Sequence, residues 1–408
     1  MSDYFDSIAE NKQDDWSVLR FKETAEKISD RDHFTPTYVS NGIPIISPKD
    51  FDSNERIQFG KCKFITLEAH EKNRKKTDLE TDDIVFTGIG AGLGKSCLVT
   101  KEMPEFSILH SAAMIRVQKE KVKPKYFLYY LKSELLQRQI GVEIQSIGVP
   151  DLGLDKINDF KILLPPSDQQ QKIAKILTTI DQLIEKTQAL IDKHTAIKQG
   201  MMTGFFAQGI DLATGQLRPP VEQALHLYKE TELGWVPKDW RVESIRDRIE
   251  ITYGKSQIEV RDKEGSVPVY GTGGLMEYAN TSLFNKDSIL IGRKGTLNNP
   301  YFVKAPFWVV DTAYYVSEFK DGDILFLSQF LSCFNFMKLN ESTGVPSLNR
   351  ETIYREKLAF PPLNEQLEIT KRLNSVDNIL KENNIYLEKV KMKKNGLMQD
   401  LLTGKRKI

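Results

Sequence analysis

The chain repeats itself over a long stretch. Residues 146–202 align without a gap with residues 342–398, at a constant separation of 196 positions. "SIGVPDL" is answered by "STGVPSL", and "LLPPSDQQQKIAKILTTID" by "AFPPLNEQLEITKRLNSVD". Gly148, Pro150, Leu152, Pro165, Pro166, Gln170, Ile173, Lys175, Leu177 and Asp181 all recur. Upstream, "DDWSVLRF" (14–21) echoes "KDWRVESI" (238–245), now 224 residues on, so the first intervening segment is the longer by 28 residues. A duplicated sequence folds into duplicated structure. The repeat predicts a mixed α/β chain of two globular modules, each followed by a long helix. The segments are 1–164 (first module), 165–206 (first helix), 207–234 (linker), 235–360 (second module) and 361–408 (second helix and tail).

The helices carry the clearest periodicity. Pro165-Pro166 stops the preceding strand, Ser167 with Gln170 fits a capping box, and Asn364 can cap the second helix. Apolar positions then run Ile173, Ile176/Leu177, Ile180, Leu183/Ile184, Leu190/Ile191, Ile197, Met201. In the second helix they run Ile369, Leu373, Val376, Leu380, Leu387, Val390, Leu397, Leu401. Steps of three and four alternate for about four heptads, which is coiled-coil spacing. Thr187 and Asn383 interrupt the two seams, a cost in stability that can set register. Each helix, about 50 Å long at 1.5 Å per residue, exposes its stripe unless it finds a partner. The pattern therefore predicts that residues 168–200 and 365–400 lie side by side as an antiparallel coiled coil, a pseudo-twofold bar with unlike heads.

"GIGAGLGKS" (88–96) suggests a phosphate-binding loop but lacks its spacing. The pattern wants a glycine five positions before Gly94, where Ile89 stands, because the loop's N–H groups must converge on one phosphate. Leu93 breaks the dinucleotide fingerprint in the same way. "DDIVFTGIGAGLGKS" (82–96) falls at the same place in module one as "KDSILIGRKGTLNNP" (286–300) in module two. The two read as a repeated strand and glycine-rich turn carrying a basic residue, Lys95 or Arg293/Lys294, toward a ligand.

Composition narrows the function classes. Formal net charge is +1, so a polyanion partner must be met by local patches rather than a global field. Cys62, Cys97 and Cys333 are scattered and show no zinc spacing, and the five histidines are dispersed. No run of 18 apolar residues occurs, the N-terminal stretch is polar and acidic, and a reducing cytoplasm is the expected compartment. None of the Pro-Pro sites has the Asn or Asp before it and the aromatic after it that an aminomethyltransferase uses.

The order of parts resembles the specificity subunit of type I restriction–modification enzymes. The residues that carry it are "GVP…LPPSDQQQKIAKIL…ID", "GVP…FPPLNEQLEI…VD", "YKETELGWVPKDWRV" (228–242) and the C-terminal "NGLMQDLLTGK". Residues 268–316 also resemble one class of that family's target-recognition domain. The resemblance implies a non-catalytic reader of double-stranded DNA, each module taking one half of an asymmetric bipartite target. It implies two modification (methyltransferase) subunits docked on the helices, with restriction (motor-nuclease) subunits joining through them. S-adenosylmethionine, ATP and magnesium would sit on those partners, with no cofactor on this chain. A head at each end of such a bar spaces two contacts by about one to one and a half DNA turns.

Candidate DNA contacts are Arg74, Lys75, Lys76, Lys95 and Arg116 in module one. In module two they are Lys255, Arg261, Tyr270, Arg293, Lys294, Asn298 and Asn299. These are residue types that hold phosphates or bond base edges. For helix pairing and subunit docking the candidates are Ile173, Leu177, Ile180, Ile184, Thr187 and Ile191, with Ile369, Leu373, Val376, Leu380, Asn383 and Leu387. A coiled-coil scaffold with no DNA role is the competing expectation.

Overall fold

In the computed structural model, residues 3–30, 36–90, 92–144 and 150–407 are described. A strand pair opens and closes each globular module. Ser17–Arg20 lies antiparallel to Lys161–Leu164, and Arg241–Ser244 antiparallel to Lys357–Phe360. The closing strand of each pair runs straight into Pro165-Pro166 or Pro361-Pro362, which have no N–H to continue a ladder. A long helix follows each time, Ser167–Ala207 and Leu363–Leu402.

Between those clamps the two modules share one topology. Module one has a four-stranded antiparallel sheet in the order Ala25–Ser29, Ala112–Val117, Ile84–Thr87, Ser96–Leu98. Module two repeats it as Ile249–Tyr253, Ala313–Phe319, Ser288–Gly292, Tyr301–Val303. Each has a second, three-stranded sheet with one parallel edge. These are Lys63–Ile65, Ile43–Ile46, Ser107–Ile108 in the first and Gly274–Ala279, Val267–Gly271, Trp308–Val309 in the second.

The short apolar runs in "DDIVFTG" and "KDSILIG" are the inner strands of the larger sheets, buried on both faces. Side chains alternate between two cores because the strand period is two. Ile84 and Phe86 join a cluster with the helices Pro124–Leu131 and Glu134–Glu143, while Val85 packs with Ile46 and Ile108 of the smaller sheet. In module two Ile289 and Ile291 face the helical core, and Leu290 faces Phe307 and Val309.

By compactness the chain divides into Met1–Gln188 with Ile385–Ile408, and Ala189–Asn384. Each unit therefore holds one module, half of the first long helix and half of the second. In the first unit Ile173, Ala174 and Leu177 share a core with Leu401 and Leu402. Trp16 bonds Gln169 while Gln13 bonds the Gly404 carbonyl, and farther along Asp181 pairs with Lys394 at 2.7 Å, so the two segments run antiparallel. In the second unit Phe205 packs with Ile369 and Leu373, and Lys198 pairs with Asp377 at 2.6 Å, again antiparallel. Asp377 and Lys394 are the repeat partners of Asp181 and Lys198, so each unit makes the same contact with the copies exchanged.

The helices differ from the sequence expectation in two details. Along the first helix the inward positions are Ile173, Leu177, Ile180, Ile184, Thr187 and Ile191, then His194 and Lys198; Ile197 is 41% exposed. A strict four–three alternation carries the seam past Ile197, so the half-buried His194 and Lys198 line it instead. Ile369, Leu373, Val376 and Leu387 are buried, with Leu380 and Asn383 half-buried. Thr187 is buried with its hydroxyl donating to Leu183 O at 2.8 Å, so its polar atom is satisfied on its own helix. The expected capping box at Ser167 is also replaced. Gln170 Nε2 donates to the Pro165 and Lys121 carbonyls, and its Oε1 accepts from Lys123 N. Gln366 makes the equivalent bonds to Pro361 O and from Asp323 N. The recurring glutamine ties helix to module.

Candidate nucleic-acid interface

The repeated turn is built identically in both modules. Gly90 N donates to Pro150 O and Leu152 N donates to Gly88 O; Gly295 N donates to Pro346 O and Leu348 N to Arg293 O. Gly88 and Ile89 donate to Ser111 O, Arg293 and Lys294 to Thr312 O. Gly90 and Gly295 sit at φ +89° and +87°, a region costly for any residue with a Cβ, which explains the recurring glycine. These bonds align Arg293 with Gly88 and Lys294 with Ile89. The expectation that Lys95 is the counterpart of Arg293/Lys294 is thereby corrected. Lys95 follows a second positive-φ glycine, Gly94, and its carbonyl closes the hairpin onto Thr87 N. The stretch that resembles a phosphate loop leads into the strand Ser96–Leu98, so it has no helix N-terminus to hold a phosphate. Of the "GVP" motif in module one, Gly148 and Val149 lie outside the described residues.

In module two the turn gathers cations. Gly254 N bonds Ala313 O and Lys255 N bonds Val309 O, which brings Lys255 beside the segment that anchors Arg293 and Lys294. Arg293 Nη1 donates to Asp311 O at 3.0 Å, and its Cζ lies 5.0 Å from the ring centre of Tyr253. Arg350, from the short helix Arg350–Arg355, sits 5.5 Å from the same ring. Tyr253 is 43% exposed and packs edgewise on buried Tyr314, whose hydroxyl burial pushes up to about 12. Lys255 and Lys294 are exposed, and neither they nor Arg293 make an ion pair among the described residues. Tyr253 and Arg350 were not picked out by sequence. The available signal was departure from the repeat, since Arg350 stands where the first copy has Leu154.

The remaining candidates scatter. Tyr270 is half-buried against Tyr301 and Phe307, with its carbonyl accepting from Val310 N, so it supports the floor of the site. Arg261 bridges Ala279 at the far side of the smaller sheet. Asn298 is spent on local structure, bonding Asn335 and Met337 N, while Asn299 is exposed. In module one, Arg74, Lys75 and Lys76 are exposed at the end of the helix Leu67–Arg74, with Arg74 also 3.2 Å from Glu105. Arg116 is the clear correction. Its guanidinium forks onto both oxygens of buried Asp83 at 2.9 and 2.8 Å and onto Asp78 O at 2.6 Å. That hydrogen bonding to Asp83 raises its pKa further still, and its donors are committed inside the domain.

Comparison with known proteins places this architecture. The family described as type I restriction modification DNA specificity domain matches residues 13–193 and 237–389. The putative type I restriction enzyme MjaX specificity subunit of Methanocaldococcus jannaschii is 25% identical over 97% of this chain and 94% of its own. The MjaVIII specificity subunit of the same organism is also 25% identical, over 82% and 81%. Among solved structures, the type I restriction–modification S subunit from M. genitalium superposes with a TM-score of 0.63 at 16% identity, covering 96% of both chains. A chain from a study of type I system assembly and conformational transition gives 0.55 at 12% identity, over 97% and 99%. Two copies of one scaffold, a matched family span in each and relatives matched over most of their length lead to one conclusion: the chain belongs to the type I restriction–modification DNA specificity family.

Proposed function

We propose that this chain is the sequence-reading subunit of a type I restriction–modification complex, each globular module taking one half of an asymmetric bipartite DNA target. The observation that carries the reading is a shared scaffold with unshared turn residues. Identical backbone bonds hold Arg293-Lys294 in one module and Gly88-Ile89 in the other. A duplicated frame bearing different side chains suits two half-sites of different sequence, because bases are read by side chains while the frame only positions them.

The chain catalyses nothing in this reading. It scaffolds two methyltransferase subunits, which bring S-adenosylmethionine, and through them restriction subunits with ATP and magnesium. The long helices supply a matching feature. Leu183, Leu190 and Ile197 are exposed at seven-residue steps on the first helix, and Ile379 and Tyr386, the repeat partners of Leu183 and Leu190, on the second. Two copies of one stripe suit two copies of one partner. No helix among the described residues is long and apolar enough to cross a membrane, and we place the complex in the cytoplasm.

The test is co-expression with a methyltransferase subunit followed by methylome mapping. Methylated adenines in one shared two-part motif are expected; methylation without such a motif overturns the reading. Exchanging residues 240–340 for those of another family member should change one half-site and leave the other intact. Duplex binding should weaken steeply with salt as phosphate contacts release counterions, which a scaffold without a DNA role would not show.

A further inference from the structure

Several arginines of the second unit are committed to carboxylates. Arg218 forks onto Glu365, Arg248 onto Glu243 and Asp321, and Arg246 pairs with Glu351. The pair around Tyr253 is not. Arg293 bonds a backbone carbonyl, lies on the ring and interacts with the Tyr314 hydroxyl, but meets no carboxylate among the described residues. Arg350 has a 3.4 Å bond to Ile251 O, a distant 3.7 Å approach to Glu351 and a buried Nε with no hydrogen-bond partner. Both guanidiniums lie on one exposed ring, so they are no farther apart than the sum of 5.0 and 5.5 Å. Lys255 and Lys294 flank them, joined through the backbone of residues 309–313. Glu351, near Arg350, is already shared with Arg246, Glu250 accepts from the hydroxyl of Tyr354, against which Arg350 also lies, and Asp311 is exposed.

Like charges gathered with so little compensation are held for an anion. A flexible arginine loses rotamer freedom on binding, and a ring beneath it removes part of that cost beforehand. We infer that Tyr253 braces Arg293 and Arg350 as a two-arginine fork that contacts DNA at the half-site read by the second module. Tyr253 is the positioning residue and the guanidiniums are the contacts, to a phosphate or to the O6/N7 edge of a guanine. The inference rests on the DNA-reading function proposed above and names the residues that perform it in this module. Module one has no counterpart at the aligned positions, where Gly88, Ile89 and Leu154 stand.

The experiment uses the full chain assembled with its methyltransferase subunit and a duplex carrying the mapped target. Binding is measured between 50 and 200 mM salt, and methylation is profiled at every position of both half-sites. Arg293→Ala and Arg350→Gln are each expected to weaken binding about tenfold, with the first half-site's preference unchanged. A phosphate contact shows as a loss uniform across sequences and a salt slope lower by about one. A base contact shows as relaxed preference at one position of the second half-site. Arg350→Lys restores affinity in the phosphate case and leaves preference relaxed in the base case. Tyr253→Phe should match the parent, and Tyr253→Leu should weaken binding less than either arginine change. Parental affinity, slope and motif in both arginine variants overturns the inference. Absence of any sequence-specific methylation by the parent complex instead sinks the underlying function, a separately readable result.

Discussion

The two globular modules agree in backbone and disagree in charge. Both clamp their ends with an antiparallel strand pair, both order their sheets alike, and both pin a positive-φ glycine to a proline carbonyl. At the tip of that shared turn one presents Arg293-Lys294 and the other Gly88-Ile89. Positions that hold the frame are constrained by hydrogen bonds and core packing, while positions that only face outward are free to diverge. Difference against a constant frame is therefore the best guide to what each module touches.

A second contrast lies where each module meets its helix. In the first repeat Trp16 Nε1 donates to a neutral side chain, Gln169, at 3.0 Å. In the second, Trp240 Nε1 donates to fully buried Glu365, which also accepts from Ile210 N at 2.6 Å and from both Nη atoms of Arg218. Glu365 thus staples the linker after the first helix to the start of the second. Glu365→Ala should cost about 3–5 kcal/mol, because it strands a largely buried guanidinium and an amide. Urea unfolding measures it. A cost near zero would mean that the charged hub contributes no more than its neutral counterpart. Glu365→Gln, which borrows the first repeat's residue, should lose part of that amount.

Where the repeats agree, equal responses are expected. Leu177 and Leu373 occupy equivalent positions and are fully buried. Truncating either to alanine should cost about 2–5 kcal/mol, and the two values should match closely. A large disparity in denaturation midpoints would show that the two cores are not equivalent.

The turn itself can be made more alike. Ile89→Lys copies Lys294 onto the first module's frame and should steepen the salt dependence of DNA binding by about one unit of log–log slope. An unchanged slope would mean that the first module's turn does not face the duplex.

The smallest effect belongs to the exchanged ion pairs. Asp181→Asn and Asp377→Asn each remove a partly exposed pair and should cost under about 1 kcal/mol, by thermal melting at low salt. Equal small shifts fit one repeated contact in each unit, whereas a loss of several kcal/mol at one site would show that the two copies differ.

Much of the architecture was legible in the residues. The 196-residue repeat, the double prolines and the four–three spacing announced duplicated modules and paired helices, because these signals are local and periodic. The inner strands were visible as "IVF" and "ILI", apolar on both faces. The site was far less legible. Lys95 and Arg293 look alike on paper, yet only backbone bonds across 50 or more residues show that they occupy different places. Arg116, in the middle of a strand, gave no hint of Asp83 beneath it.

Sequence alone settled which segments are copies, that a long helix follows each module and which family the residues resemble, since repetition and periodicity are properties of the chain read in order. Tertiary structure decided which cations are spent inside the fold and which stand together at its surface. Charge has no periodicity to read, and its meaning depends on what the folded chain brings within a few ångströms: Asp83 for Arg116, and a shared tyrosine ring for Arg293 and Arg350.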